Sequence, residues 1–120
     1  MSVVEVGEPC DDDFLNAAEE RLSVVLPLEV RRLYRLGDGR YRRDGEWWVV
    51  WPLDRLVADN SKAWSRGTLP RSLLAIGDDG TGNPFCVRLD NETVVRWSWI
   101  DQTVESMEGT LDQFLGEWAT

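Results

Sequence analysis

Residues 46–52 read Glu-Trp-Trp-Val-Val-Trp-Pro, and no other stretch of the 120-residue chain limits the fold so sharply. In an extended segment successive side chains point to opposite faces, so Trp47, Val49 and Trp51 share one face and Trp48 and Val50 the other. Both faces are apolar, which predicts a strand that lies centrally in its sheet or is covered on both sides. Pro52 ends it. A strand so placed requires other strands beside it and helices above it.

The rest of the chain supplies both. Asp11, Asp12 and Asp13 precede apolar residues at Leu15, Ala18, Leu22 and Val25, a spacing that predicts a helix from about residue 12 with carboxylates at its positive N-terminal end. Pro27 opens a second helix, with Val30, Leu33 and Tyr34 as its apolar face and Arg31, Arg32 and Arg35 turned to solvent or to acidic neighbours. Gly37 is placed to end it, and residues 37–45 form a turn-rich approach to the tryptophan strand. Leu53, Leu56 and Val57 begin a third helix that continues to Trp64, before Gly67 and Pro70 break it.

Leu73 to Ile76 is a short apolar run. It leads through the loop Gly-Asp-Asp-Gly-Thr-Gly-Asn-Pro, residues 77–84, into a strand at 85–89. A polar turn at 90–92 and a strand carrying Val95, Trp97 and Trp99 on one face complete an antiparallel hairpin. Thr110 and Gln113 have the spacing of a capping box, opening a helix with Leu111, Phe114, Leu115 and Trp118 on one face. The order predicts an α+β fold, one domain over residues 1–120, with helices packed on an antiparallel or mixed sheet. Of the seven tryptophans, Trp47, Trp51, Trp97, Trp99 and Trp118 fall on inward faces. Trp48 and Trp64 are less determined, and either one, if exposed, is a natural anchor for a protein partner.

Composition excludes much chemistry. With no histidine there is no Ser-His-Asp triad, Cys-His pair or imidazole ligand. Cys10 and Cys86 have no CxxC spacing, so they read as reduced thiols, with no metal or cofactor implied. The 77–84 loop lacks a P-loop lysine, its aspartates repel phosphate, and no bidentate acid follows at calcium-loop spacing. It reads as a tight turn in which Gly77, Gly80 and Gly82 supply positive φ. Ser61, Lys62 and Ser65 match no catalytic motif, and the chain reads as non-catalytic. A net charge of −9 argues against nucleic acid or an anionic membrane as partner. No apolar run reaches the roughly 20 residues of a membrane span, and residues 1–10 lack the features of a leader. The expectation is a soluble, cytoplasmic monomer.

The charge is segmented. Residues 1–20 carry seven acids and no bases, and residues 21–43 carry seven arginines against Glu29 and Asp38. Residues 44–76 balance, and residues 77–120 hold nine acids against Arg88 and Arg96. Two arrangements fit: an acidic shell paired internally with one basic helix, or an acidic face that steers a basic protein partner.

Four segments together resemble the SUKH superfamily, founded on the fungal Smi/Knr cell-wall regulators and abundant in bacteria. AEERLSVVLPLEVRRLYRLGDG (18–39) is similar to its acidic helix, leucine-proline step and second helix. WPLDRLVADN (51–60) is similar to its tryptophan-led strand and helix, and LLAIGDDGTGNPFCVRLD (73–90) to its run of isoleucine, Gly-Asp turn, aromatic and strand. VVRWSWIDQT (94–103) with SMEGTLDQFLGEW (106–118) resembles the closing strand and helix. The turn after the second helix reads Gly-Asp-Gly-Arg where the family more usually has Asn-Gly. The resemblance implies no catalysis. It implies an immunity protein of a polymorphic or contact-dependent toxin system, which binds and blocks a cognate toxin, often a nuclease or deaminase. An acidic protein suits the basic cleft of such a toxin. The expected contact surface gathers Asp11, Asp12, Asp13, Asp78 and Asp79, with Asp101, Glu105 and Glu108 on the same side and Trp48 as anchor. The rival readings are an intracellular adaptor binding host proteins, like the fungal founders, and a module holding a small ligand in a tryptophan-lined pocket.

Overall fold

The computed structural model describes residues 3–119, apart from the side chains of residues 106–108. Along the chain run β1 (Val4–Val6), α1 (Asp12–Leu22), α2 (Leu28–Leu36), β2 (Arg40–Arg42), β3 (Trp47–Val50), α3 (Leu53–Arg66), β4 (Leu73–Asp78), β5 (Pro84–Arg88), β6 (Val94–Ser98), β7 (Thr103–Gly109) and α4 (Leu111–Trp118). The strands form two antiparallel sheets, β1-β2-β3 and β4-β5-β6-β7. This is the expected α+β architecture, with the sheet divided in two.

The division falls beside the tryptophan strand. β3 is hydrogen-bonded to β2 on one side, and on the other the chain just beyond it meets β4 through Trp51 N–H, which donates to Ile76 O at 2.7 Å. A Cβ on Gly77 would overlap the Val49 carbonyl, so only glycine permits the approach. Gly77 therefore serves close packing and not positive φ, unlike Gly80 (φ +87°) and Gly82 (φ +101°). The β4 edge facing away from β5 is closed further along by a side chain. The Asn60 amide accepts from Ala75 N–H at 2.8 Å while donating to Ala75 O at 2.7 Å and Leu56 O at 2.8 Å. One buried amide thus fixes α3 against the sheet and satisfies a backbone pair that would otherwise be orphaned.

Helix boundaries follow local chemistry. Asp11 caps α1 by accepting from Phe14 N–H, and Ser23 ends it in a left-handed conformation. Val25 consequently lies outside the helix and is 82% exposed, which corrects its assignment to the apolar face. Pro52 precedes α3, and the Asp38 carboxylate caps that helix from a distance, accepting from Leu53 N–H at 2.6 Å. Gly67 ends α3 at φ +72°, three residues beyond Trp64. The Thr110–Gln113 capping box is present in both directions.

Tryptophan burial is more graded than the inward-face pattern predicts. Trp51, Trp64 and Trp97 are buried, while Trp47, Trp48, Trp99 and Trp118 are half-buried against the core. Trp99 follows the end of β6, so it escapes the strand's alternation. Tyr34 sits in the centre, fully buried, its hydroxyl donating to Trp51 O at 2.6 Å.

Replacing Asn60 with Ala strands both Ala75 groups and is expected to cost about 3 kcal/mol, read as a lowered urea midpoint. Burial first, then the Asp38 carboxylate, raises the Cys10 thiol to about 11 and the Tyr34 phenol above its ordinary value, and burial alone raises Cys86. All three hold their protons more tightly folded than unfolded. Their stabilisation is whole below pH 9, where an unfolded thiol begins to ionise, and is lost as pH rises through the folded values. Urea titrations from pH 7 to 11 are expected to show that decline. In Tyr34→Phe the part beginning near pH 10 disappears, alongside a pH-independent loss of about 1–3 kcal/mol from the stranded carbonyl.

Candidate partner-binding surface

The acids expected to form one contact surface occupy different environments. Asp12 is bound by α2: Arg35 reaches it at 2.7 Å and Arg31 at 3.4 Å, while Arg31 also holds Glu19 at 2.9 Å. The hydrogen bond and charge of Arg35 hold the Asp12 carboxyl below the usual carboxylate range. Arg31 and Arg35 are therefore counter-charges of α1, whereas Arg32 pairs with Glu29 within α2 and stays 72% exposed. Asp11 is engaged as a helix cap, and Asp13 lies exposed two positions on.

Asp78 and Asp79 build the β4–β5 loop. Asp78 accepts from Gly80 N–H and from the Trp51 indole, its backbone carbonyl accepts from the Trp47 indole, and Arg55 lies 3.8 Å from its carboxylate. Asp79 accepts from the Thr81 backbone and hydroxyl, and its other oxygen faces Arg96 at 3.4 Å. Arg96 also pairs with Glu105 across the β6–β7 ladder at 2.9 Å. The Asp79 side chain is only 6% exposed. These carboxylates hold the loop in shape, with their charge largely answered at close range.

Asp101 is exposed at the β6–β7 turn next to Ile100, itself 93% exposed. Among the described residues the carboxylates of Asp13 and Asp101 meet no donor. Glu108 falls in β7, with its side chain outside the described residues. Trp48 is half-buried, set edge-to-face on Tyr41 with ring centroids 5.1 Å apart.

A concavity of about 460 Å³ opens between α3 and the β4–β5 loop. Its lining includes Trp51, Arg55, Lys62, Arg66, Asp78 and Trp99. Arg55 lies over the Trp51 ring at 4.7 Å and pairs with Asp59 one turn along α3. The Trp99 indole N–H donates to Gly82 O, fixing the ring at the loop. Sequence reasoning missed this site because residues 44–76 balance in charge. The signal was the spacing of Arg55, Asp59, Lys62 and Arg66, which places all four on one helix face.

The sequence profile of the SMI1 / KNR4 family (SUKH-1) matches residues 9–117, a span that takes in α1, α2, α3, all of α4 but its last residue, and every strand but β1. A search of curated proteins found no match.

Removing a carboxylate that holds the loop should differ from removing one that faces water. Asp79→Ala is expected to destabilise by about 1–3 kcal/mol, through the lost turn bonds and the loss of one of the two carboxylates that meet Arg96. Asp13→Ala and Asp101→Ala should stay within about 0.5 kcal/mol of the parent. Thermal denaturation of the three variants checks the separation.

Proposed function

The chain belongs to the SMI1 / KNR4 family (SUKH-1), and from that premise we propose that it is an immunity protein. It binds a cognate toxin domain, a nuclease or deaminase, and neutralises it by covering its working surface. The observation that carries this reading is the family match across residues 9–117. Among the described residues no helix is long and apolar enough to cross a membrane.

Charge steers the encounter. A protein of net charge −9 attracts a basic toxin from beyond contact distance even where individual acids are paired, because a paired acid and base cancel locally while the surplus remains. The expected acidic surface narrows to positions still open to a partner: Asp13, and Asp101 with part of Glu105. Asp11, Asp12, Asp78 and Asp79 contribute to the field and to the rigidity of what the partner meets. Ile100 offers an apolar contact beside Asp101, and Trp48 offers the exposed part of its ring. The protein acts as a monomer, and its activity is binding and not bond-making.

Co-expression with the product of the adjacent upstream gene, read as a toxin, tests the proposal. Growth rescue and a stable co-purifying complex are expected. The association rate should fall about tenfold or more as salt rises from tens of millimolar to 0.5 M, where screening shortens to a few ångströms. Asp13→Lys combined with Asp101→Lys should slow association further at low salt. Toxicity left unrelieved would favour the adaptor reading, and a rate indifferent to salt would remove the steering mechanism.

A further inference from the structure

The concavity beside α3 has the opposite character to the molecule that carries it. The chain is strongly acidic, yet this recess presents Arg55, Lys62 and Arg66 along one helix face. Arg55 is occupied by the Trp51 ring and by Asp59 and Asp78. Lys62 and Arg66 are exposed, and among the described residues neither pairs with a carboxylate. A fold with 22 acids that answers its α2 arginines with carboxylates leaves these two cations open at the mouth of a recess. Beside them stands Trp99, half-buried, with its indole N–H satisfied by Gly82 O. Its polar edge is already used, so the ring offers an apolar surface.

We propose that this recess is a docking site for an acidic segment of the protein partner. A carboxylate of that segment meets Lys62 and Arg66, and a neighbouring apolar side chain packs on Trp99. The recess is large enough for two or three side chains and open enough to admit a chain segment. Asp59 and Asp78 in its wall select against polyanions such as nucleic acid, whose successive phosphates would meet them, whereas a single carboxylate can settle between the two cations. The proposal rests on the partner-binding reading and adds to it a second contact of reversed sign. Such a contact fixes orientation, because a partner that satisfies both signs can dock in only one register.

Two arms keep the failures apart. In the first, the blocked peptide acetyl-Asp-Leu-Glu-Phe-amide and its Asn/Gln counterpart are titrated into ¹⁵N-labelled protein, reading the indole signals, with Trp99→Phe assigning that peak. A saturable shift of the Trp99 signal with the acidic peptide is expected. It should weaken about tenfold in Lys62→Glu/Arg66→Glu, the size expected for two exposed ion pairs, and be absent with the neutral peptide. No saturable shift up to roughly 10 mM, or a shift indifferent to the double variant, overturns the site. In the second arm the same variant, its unchanged melting temperature confirming the fold, is measured against the cognate toxin, where dissociation should quicken about tenfold. Undiminished toxin binding by the variant overturns the docking role with the immunity reading intact. An acidic-peptide shift without any toxin binding retains the site and overturns the immunity reading.

Discussion

The two sheets meet where Trp51 N–H bonds Ile76 O and the Gly77 backbone lies against the Val49 carbonyl. Any side chain at Gly77 would force β3 and β4 apart, and the consequences would spread through both layers. Trp51 would lose its backbone bond, and Tyr34, whose hydroxyl reaches Trp51 O, would lose its acceptor. The Asn60 amide completes the junction by closing the next part of the β4 edge. An edge left open there would expose unpaired backbone groups, the usual route to strand-to-strand aggregation. Here a helix side chain covers it.

Charge is organised around the same frame. The α1–α2 pair is held by Arg31 and Arg35 against Asp12 and Glu19, while Arg96 ties β6 to β7 through Glu105 and to the β4–β5 loop through Asp79. The more exposed of these pairs contribute little each to stability, whereas the Asp79 side chain is only 6% exposed. Within the Arg-rich segment Arg31 and Arg35 answer acids of α1, while Arg32 remains 72% exposed beside Glu29.

The helices were legible in the sequence because their signals are local. A cap, a spacing of three and four, and a terminating glycine lie within a dozen residues of one another, and α2, α3 and α4 follow them closely. The β5–β6 hairpin was legible for the same reason. β1 and β2 were not: three residues cannot display an alternation, and Arg40, Tyr41 and Arg42 carry long polar ends on half-buried stems. The largely polar β7 hides in the same way. For the binding surface, the cluster of acids could be read but not which arginine each one meets, since Arg96 reaches Asp79 from 17 residues away. The role of Gly77 depends on a strand far off in sequence, and no local pattern announces it.

Three indoles converge on the β4–β5 loop from outside it. Trp47 binds the carbonyl of Asp78, Trp51 its carboxylate, and Trp99 the carbonyl of Gly82. The loop is therefore fastened at both ends by groups that belong to the rest of the fold, while the exposed residues Gly80 and Thr81 lie between the fastenings. Such an arrangement separates the mounting from what is mounted. Of the two, Thr81 is the freer to change, since Gly80 keeps its positive φ. A lineage can vary the apex without altering the clasp that holds the loop in place.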